Sequence, residues 1–173
     1  MYLLNFDGLF RGKEEGSGLE NGMSVMCYGW VIRSRQDVVA RGYGSYTHPH
    51  VASSNGAEYL ALIEGLKACL DLGLAKERLL VLGDAKSVID QMLGLSGVTS
   101  FRVMTLHHKA QGLGRQFHHI GWKWIPRGEN KEADRLSRAA LLKLPRQKQD
   151  TLAMFGTRGG VPGFRLLADL MMC

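Results

Sequence analysis

Four acidic residues, Asp7, Glu58, Asp84 and Asp134, are spaced along the chain so that local structure brings them toward one place. Asp7 and Asp84 each follow a short apolar run, Tyr2–Phe6 and Arg78–Gly83. Carboxylates there stand at the carboxyl ends of strands, the edge at which open α/β sheets place their sites. Glu58 falls within the apolar stripe of an amphipathic helix, in line with Leu62, Gly65 and Cys69, where an unpaired charge is costly. Asp134 lies in the first turn of a helix whose apolar line is Ala133, Leu136, Ala140 and Leu144. Carboxylates converging at one sheet end repel, and their pKa values rise unless cations share the site. Oxygen ligands suit Mg²⁺ or Mn²⁺, and the chain lacks the His/Cys clustering that zinc prefers. Two such ions about 3.5–4 Å apart serve in-line displacement at a phosphodiester, one activating water and the other stabilising the leaving 3′ oxygen. Each acid also has an ordinary reading: Asp7-Gly8 as a turn, Asp84 as a helix cap, Asp134 as a helix-dipole partner. For Glu58 the ordinary reading is a capping box with Asn55 as N-cap.

The elements that must position these acids read in the order β-β-β-α-β-α-α-β-α. Strands are expected at Tyr2–Phe6, Met23–Ser34 and Val38–Tyr46, joined by the polar, glycine-rich stretch Arg11–Gly22 and a turn at Arg33–Asp37. The opening helix runs from Asn55 to about Leu72, after a loop at Thr47–Ser54. Arg78–Asp84 is a nearly continuous apolar run, the pattern of a central strand covered on both faces. Helices at Lys86–Leu93 and within Phe101–Phe117, a strand at His118–Ile125 ended by Pro126, and a last helix at Lys131–Leu144 capped by Asn130 complete the order. The fold class is α/β: a mixed sheet of three antiparallel strands, then parallel crossovers, flanked by helices. Residues 1–145 read as one domain and residues 146–173 as a C-terminal tail, disordered or packed on the domain, with Phe164–Met172 as a short apolar helix.

Composition narrows the class. The chain has 173 residues, 45% hydrophobic and 22% charged, enough for one ordinary core. A net charge of +6 favours a polyanion such as nucleic acid. Cys27, Cys69 and Cys173 are odd in number and scattered, against a disulfide framework or zinc site and in favour of a reducing compartment. No apolar stretch approaches membrane-spanning length, and the N-terminus has no basic leader; a cytoplasmic monomer is expected.

Four blocks then stand together: Phe6-Asp7-Gly8, Asn55-x-x-Glu58-Tyr59-x-Ala61-Leu62, Leu82-Gly83-Asp84-x-x-x-Val88-Ile89 and Asn130-Lys131-Glu132-Ala133-Asp134-x-Leu136-Ser137. In order and spacing they resemble the signature blocks of the type 1 ribonuclease H family, over about Met1–Leu144. The resemblance implies a five-stranded mixed sheet and an endoribonuclease that cuts the RNA strand of RNA–DNA hybrids by two-metal catalysis, leaving 5′-phosphate and 3′-hydroxyl ends. It assigns catalysis and metal binding to Asp7, Glu58, Asp84 and Asp134, with two Mg²⁺ or Mn²⁺ ions. It implies substrate contacts at Gly8, Ser53, Asn55 and Lys86: Asn55 toward the minor groove and 2′-hydroxyls, Ser53 toward a phosphate. Lys86, Lys123, Arg127 and Lys131 are candidates for neutralising the nucleic-acid backbone.

The chain also departs from the pattern. The loop Pro126-Arg127-Gly128-Glu129-Asn130 lacks the histidine many members carry, and His118 and His119 lie at the far end of the preceding strand. The basic, Trp-bearing helix of some members is missing, since Leu95–Ser100 leads straight to Phe101. These features resemble a short-loop branch of the family. Ser53-Ser54-Asn55 replaces the usual Thr-Asn-Asn, and Ala85-Lys86 the usual Ser-Gln. The alternative expectations are a hybrid-binding accessory module with weak or no catalysis, and a nuclease of the wider superfamily acting on DNA or junctions.

Overall fold

The continuous apolar run 78–83 does form a central strand. The computed structural model describes residues 1–12, 24–47 and 53–144. Within them lie β1 (Tyr2–Arg11), β2 (Val25–Ser34), β3 (Asp37–Thr47), α1 (Ser54–Asp71), β4 (Arg78–Gly83), α2 (Lys86–Met92), α3 (Phe101–Gly114), β5 (His119–Trp124) and α4 (Lys131–Leu142). The sheet order is β3-β2-β1-β4-β5. β1, β2 and β3 pair antiparallel, while β4 runs parallel to both β1 and β5. This is the mixed five-stranded sheet that the element order implies. The tail expected at 146–173 and much of the 11–22 loop lie outside the described residues. No helix among the described residues is long and apolar enough to cross a membrane.

The two faces of the sheet are covered by different helices. Leu4 and Phe6 are fully buried in one cluster with Leu60, Leu62, Ile63 and Leu66 of α1 and with Val103, Leu106 and Ala110 of α3. On the other face Val25 and Cys27 of β2 pack with Ala140 and Leu144 at the end of α4. Side chains alternate along a strand, so Asn5, Asp7 and Leu9 of β1 share the α4 face. α1 is buried almost all round, because α3 lies against the side that the sheet leaves open. The Tyr59 hydroxyl donates to Gln91 Oε1 at 2.8 Å and meets His107 Nδ1 at 3.0 Å, which ties α1 to both α2 and α3.

Three expectations need correction. β1 does not end at Asp7-Gly8 but continues to Arg11, because its whole length pairs with β2 while only Tyr2–Phe6 pairs with β4. Gly8 is therefore no turn residue. It is a close approach: a Cβ there would stand 2.2 Å from the Ala57 carbonyl carbon and the Glu58 nitrogen. The N-cap of α1 is Ser53, not Asn55; Ser53 is extended (φ −156°, ψ 166°) and its Oγ accepts the Gly56 N–H at 3.0 Å. Glu58 then lies too far into the helix for a capping box, and its carboxylate turns elsewhere. Asn130 precedes α4 but makes no side-chain cap bond, for a reason seen at the site.

α4 rests on the middle of β2 at Gly29, where a Cβ would stand 2.5 Å from the Ser137 nitrogen and 2.6 Å from the Ala133 carbonyl oxygen. Both atoms are helix backbone and cannot step aside. Gly29→Ala is expected to cost about 1–3 kcal/mol by overpacking, read as a lower urea midpoint at unchanged slope. A wild-type midpoint would contradict this seating of α4.

Candidate active site

The last parallel pair of β1 and β4 is Phe6↔Gly83. Asp7 and Asp84 take the next position on each, one inter-strand spacing of about 4.8 Å apart along the backbone. β4 ends there, so the edge of β1 that it covered is open beyond Phe6. Two side chains close that edge. Glu58 Oε2 accepts the Gly8 N–H at 3.0 Å, reaching over from the α1 face. Asn130, 1% exposed, donates through Nδ2 to the Phe6 carbonyl at 2.8 Å and to Asp84 Oδ1 at 2.7 Å. Its Oδ1 accepts from Asn5 Nδ2 at 3.2 Å. A buried carbonyl left unpaired costs about 1–3 kcal/mol, which explains why this amide serves the strand junction and not its own helix.

Asp7 is 4% exposed and its Oδ2 accepts from the hydroxyl of Ser137, itself fully buried on α4. Asp134, one turn earlier on α4, is held by Arg127 Nη2 at 2.6 Å and Arg138 Nε at 2.7 Å. Arg127 belongs to the 3₁₀ turn Arg127–Glu129 between β5 and α4.

The electrostatics follow from this crowding. Burial raises the Asp7 carboxyl most, the Ser137 hydrogen bond opposes it, and the charges of Asp84 and Asp134 add to it; the result is pushed up to about 6. Glu58 is driven well above the usual carboxylate range by burial and then by the charges of Asp7 and Asp84, with the Gly8 amide and Arg127 pulling back. Asp134 lies below the usual range, chiefly through the hydrogen bond from Arg138 and also through Arg127. Arg127 acts on all of these acids, so it is the resident counter-charge of the cluster.

Among the described residues no three His, Cys, Asp or Glu side chains stand as a ready-made metal cage. Asp134 is engaged by its two arginines instead. The donor set still suits a hard divalent cation: it is all oxygen, and two of its members resist ionisation through burial and neighbouring acidic charge.

The structure thus brings Asp7, Gly8, Glu58, Asp84 and Asp134 to one strand end. The other expected contacts are more dispersed. Asn55 is exposed in the first turn of α1 and its Oδ1 accepts from Ser87 Oγ of α2 at 3.2 Å. Ser53 serves as the cap of α1, and Lys86, exposed at the start of α2, pairs with Asp90 at 2.5 Å. His119 opens β5 opposite Arg78, so the two histidines are at the wrong end of the strand to stand in for a loop histidine. Residues 93–100 join α2 to α3 with no helix between them. Sequence reasoning missed the roles of Asn130, Ser137 and Arg127. Asn130 and Ser137 stood inside the fourth block, but an amide before a helix looks like a cap and a serine within one looks neutral.

A five-stranded sheet of this order, with helices on both faces and carboxylates at the β1/β4 ends, is a ribonuclease H-like fold. The chain belongs to the Reverse transcriptase-like family, whose model matches residues 5–140. It is 39% identical over 90 residues to the bifunctional protein Rv2228c of Mycobacterium tuberculosis (strain ATCC 25618 / H37Rv), a match covering 52% of this chain and 24% of that protein. The chain therefore spans about a quarter of that relative's length. The solved N-terminal RNase H domain of Rv2228c, fused to maltose-binding protein, superposes with a TM-score of 0.67 at 30% identity, covering 88% of this chain and 95% of that one. RNase H1 of the halophilic archaeon Halobacterium salinarum NRC-1 gives 0.69 at 27% identity, over 83% and 98%. LC11-RNase H1, solved in complex with an RNA/DNA hybrid, shares the fold with a TM-score of 0.66 at 22% identity, over 81% and 96%.

Folded Asp7 holds its proton more tightly than the unfolded chain does, so its contribution to stability falls as pH rises from about 4 through 6. In chelator, Asp7→Asn is expected to gain up to about 3 kcal/mol on the wild type between pH 4 and 8. Comparing the two proteins cancels groups they share. Urea unfolding across that range measures it, and a pH-independent difference would contradict the crowded carboxylate.

Proposed function

We propose that this chain is a metal-dependent endoribonuclease that hydrolyses the RNA strand of RNA–DNA hybrids, giving 5′-phosphate and 3′-hydroxyl ends. The observation that carries this reading is the gathering of Asp7, Glu58 and Asp84 at the β1/β4 strand ends, with Asp7 and Glu58 raised in pKa first by burial and then by neighbouring acidic charges. Likeness to the RNase H domain of Rv2228c and to the halobacterial RNase H1 supports it, as does a protein of the same fold captured with a hybrid.

Asp7, Glu58, Asp84 and Asp134 would hold two Mg²⁺ or Mn²⁺ ions, which supply activation of water and stabilisation of the leaving oxygen. The protein's own part is to aim and restrain. Asn130 fixes the Asp84 carboxylate, Ser137 fixes Asp7, and the Gly8 amide fixes Glu58. Asp134 would become available to an ion only if both Arg127 and Arg138 turned aside, and the freed Arg127 guanidinium would be shaped to receive a phosphate oxygen. Asn55 presents an exposed amide suited to 2′-hydroxyls, and Ser53, Gly8 and Lys86 are further candidate substrate contacts.

A second reading, a hybrid-binding module with little cleavage, draws on one observation: Arg127 and Arg138 both engage Asp134. Labelled hybrid, duplex DNA and duplex RNA, each with Mg²⁺, Mn²⁺ or chelator, separate the two. The expected outcome is metal-dependent cleavage of the hybrid's RNA strand alone. Asp84→Asn should lower the rate at least about 100-fold while hybrid binding survives. Binding without cleavage would favour the module, and an active Asp84→Asn would remove Asp84 from the site.

A further inference from the structure

We propose that Trp124 is a substrate contact, a fixed aromatic plate that packs against the sugar face of a nucleotide next to the scissile phosphate. This rests on the hybrid-cleaving reading above. Trp124 is the last residue of β5 and pairs with Gly83, which puts it one strand over from Asp84. Its indole N–H donates to the Asp84 carbonyl at 3.0 Å, so the polar edge of the ring is anchored at the acid cluster. The rest of the ring is not tucked away: 44% of the residue is exposed. Trp122, two residues earlier on the same face, instead packs toward Gly114 of α3. The next residue, Ile125, is buried and donates its N–H to the Gly83 carbonyl at 3.0 Å, which holds the strand end in place.

An exposed tryptophan whose orientation is set on two sides loses little freedom when something settles on it. What settles there is indicated by its neighbours. Arg127, exposed three residues further on, hydrogen-bonds Asp134, so a cationic group suited to a polyanion stands at the same strand end as the plate. Adjacent strands are about 4.8 Å apart and nucleotides rise about 3.4 Å along a strand, which places the ring one or two nucleotides from a phosphate at Asp84. A duplex keeps its bases stacked internally, so the surface it offers at that distance is the apolar face of a sugar ring.

The test compares wild type with Trp124→Leu and Trp124→Phe on labelled hybrid, with folding checked by circular dichroism. Trp124→Leu is expected to raise KM about fivefold or more, in line with the lower range for aromatic contacts to nucleic acid, while kcat falls no more than about twofold. Trp124→Phe keeps a ring but loses the N–H bond, and it should restore most of the KM. In the Asp84→Asn background, hybrid should quench tryptophan emission, and the quench should largely vanish with Trp124→Phe. A wild-type KM and an unchanged quench in these variants would overturn the contact, as would a loss confined to kcat, which would make Trp124 only a support for Asp84. A wild-type protein that neither binds nor cleaves hybrid would instead overturn the parent reading.

Discussion

Two carboxylates at the ends of neighbouring parallel strands repel, and most of what surrounds them serves to keep them there. The Phe6↔Gly83 register places Asp7 beside Asp84, and Glu58 arrives over the same edge from the opposite face. Like charges gathered at a shared strand end repel, and a small domain's narrow net stability leaves little room for that. Asn130 meets that load by joining β1, Asp84 and the start of α4 through one buried amide. The absent side chains of Gly8 and Gly29 let α1 and α4 approach the strands closely enough to deliver Glu58, Ser137 and Asp134. Burial first, and then the neighbouring acidic charges, raise the Asp7 and Glu58 carboxyls.

Much of this arrangement was legible in the sequence because its signals are local. A nearly continuous apolar run at 78–83 means an internal strand, although only the Leu79, Val81 and Gly83 face is buried while Leu80 and Leu82 on the other stay half-buried, and Asp84 after it means a carboxylate at a strand end. The line Ala133, Leu136, Ala140 and Leu144 turned inward as its spacing implied. What was hidden depends on partners far away in the chain. Asp7-Gly8 has the look of a turn, and only pairing with β2 carries the strand on to Arg11. Ser53 and Asn55 are both acceptable caps, and backbone geometry chose the first. Asn130 looks like a cap until the open edge of β1, more than a hundred residues earlier, claims its side chain.

Arg127 shows how a short loop reshapes the site. Its guanidinium engages Asp134 and faces the other acids, a built-in counter-charge supplied from the loop that lacks a histidine. On the metal-dependent reading, a divalent ion entering the cluster would compete with this arginine for Asp134 and with protons for Asp7 and Glu58. Cation binding, arginine release and proton loss would then be one coupled equilibrium.

Calorimetric titration of Mn²⁺ at pH 6, repeated in buffers of different ionisation enthalpy, tests that coupling directly. The four-acid account predicts saturable binding with net release of about one proton or more per protein, and a smaller release when Asp7 is replaced by Asn. Absence of saturable binding, or binding with no proton release, would contradict it.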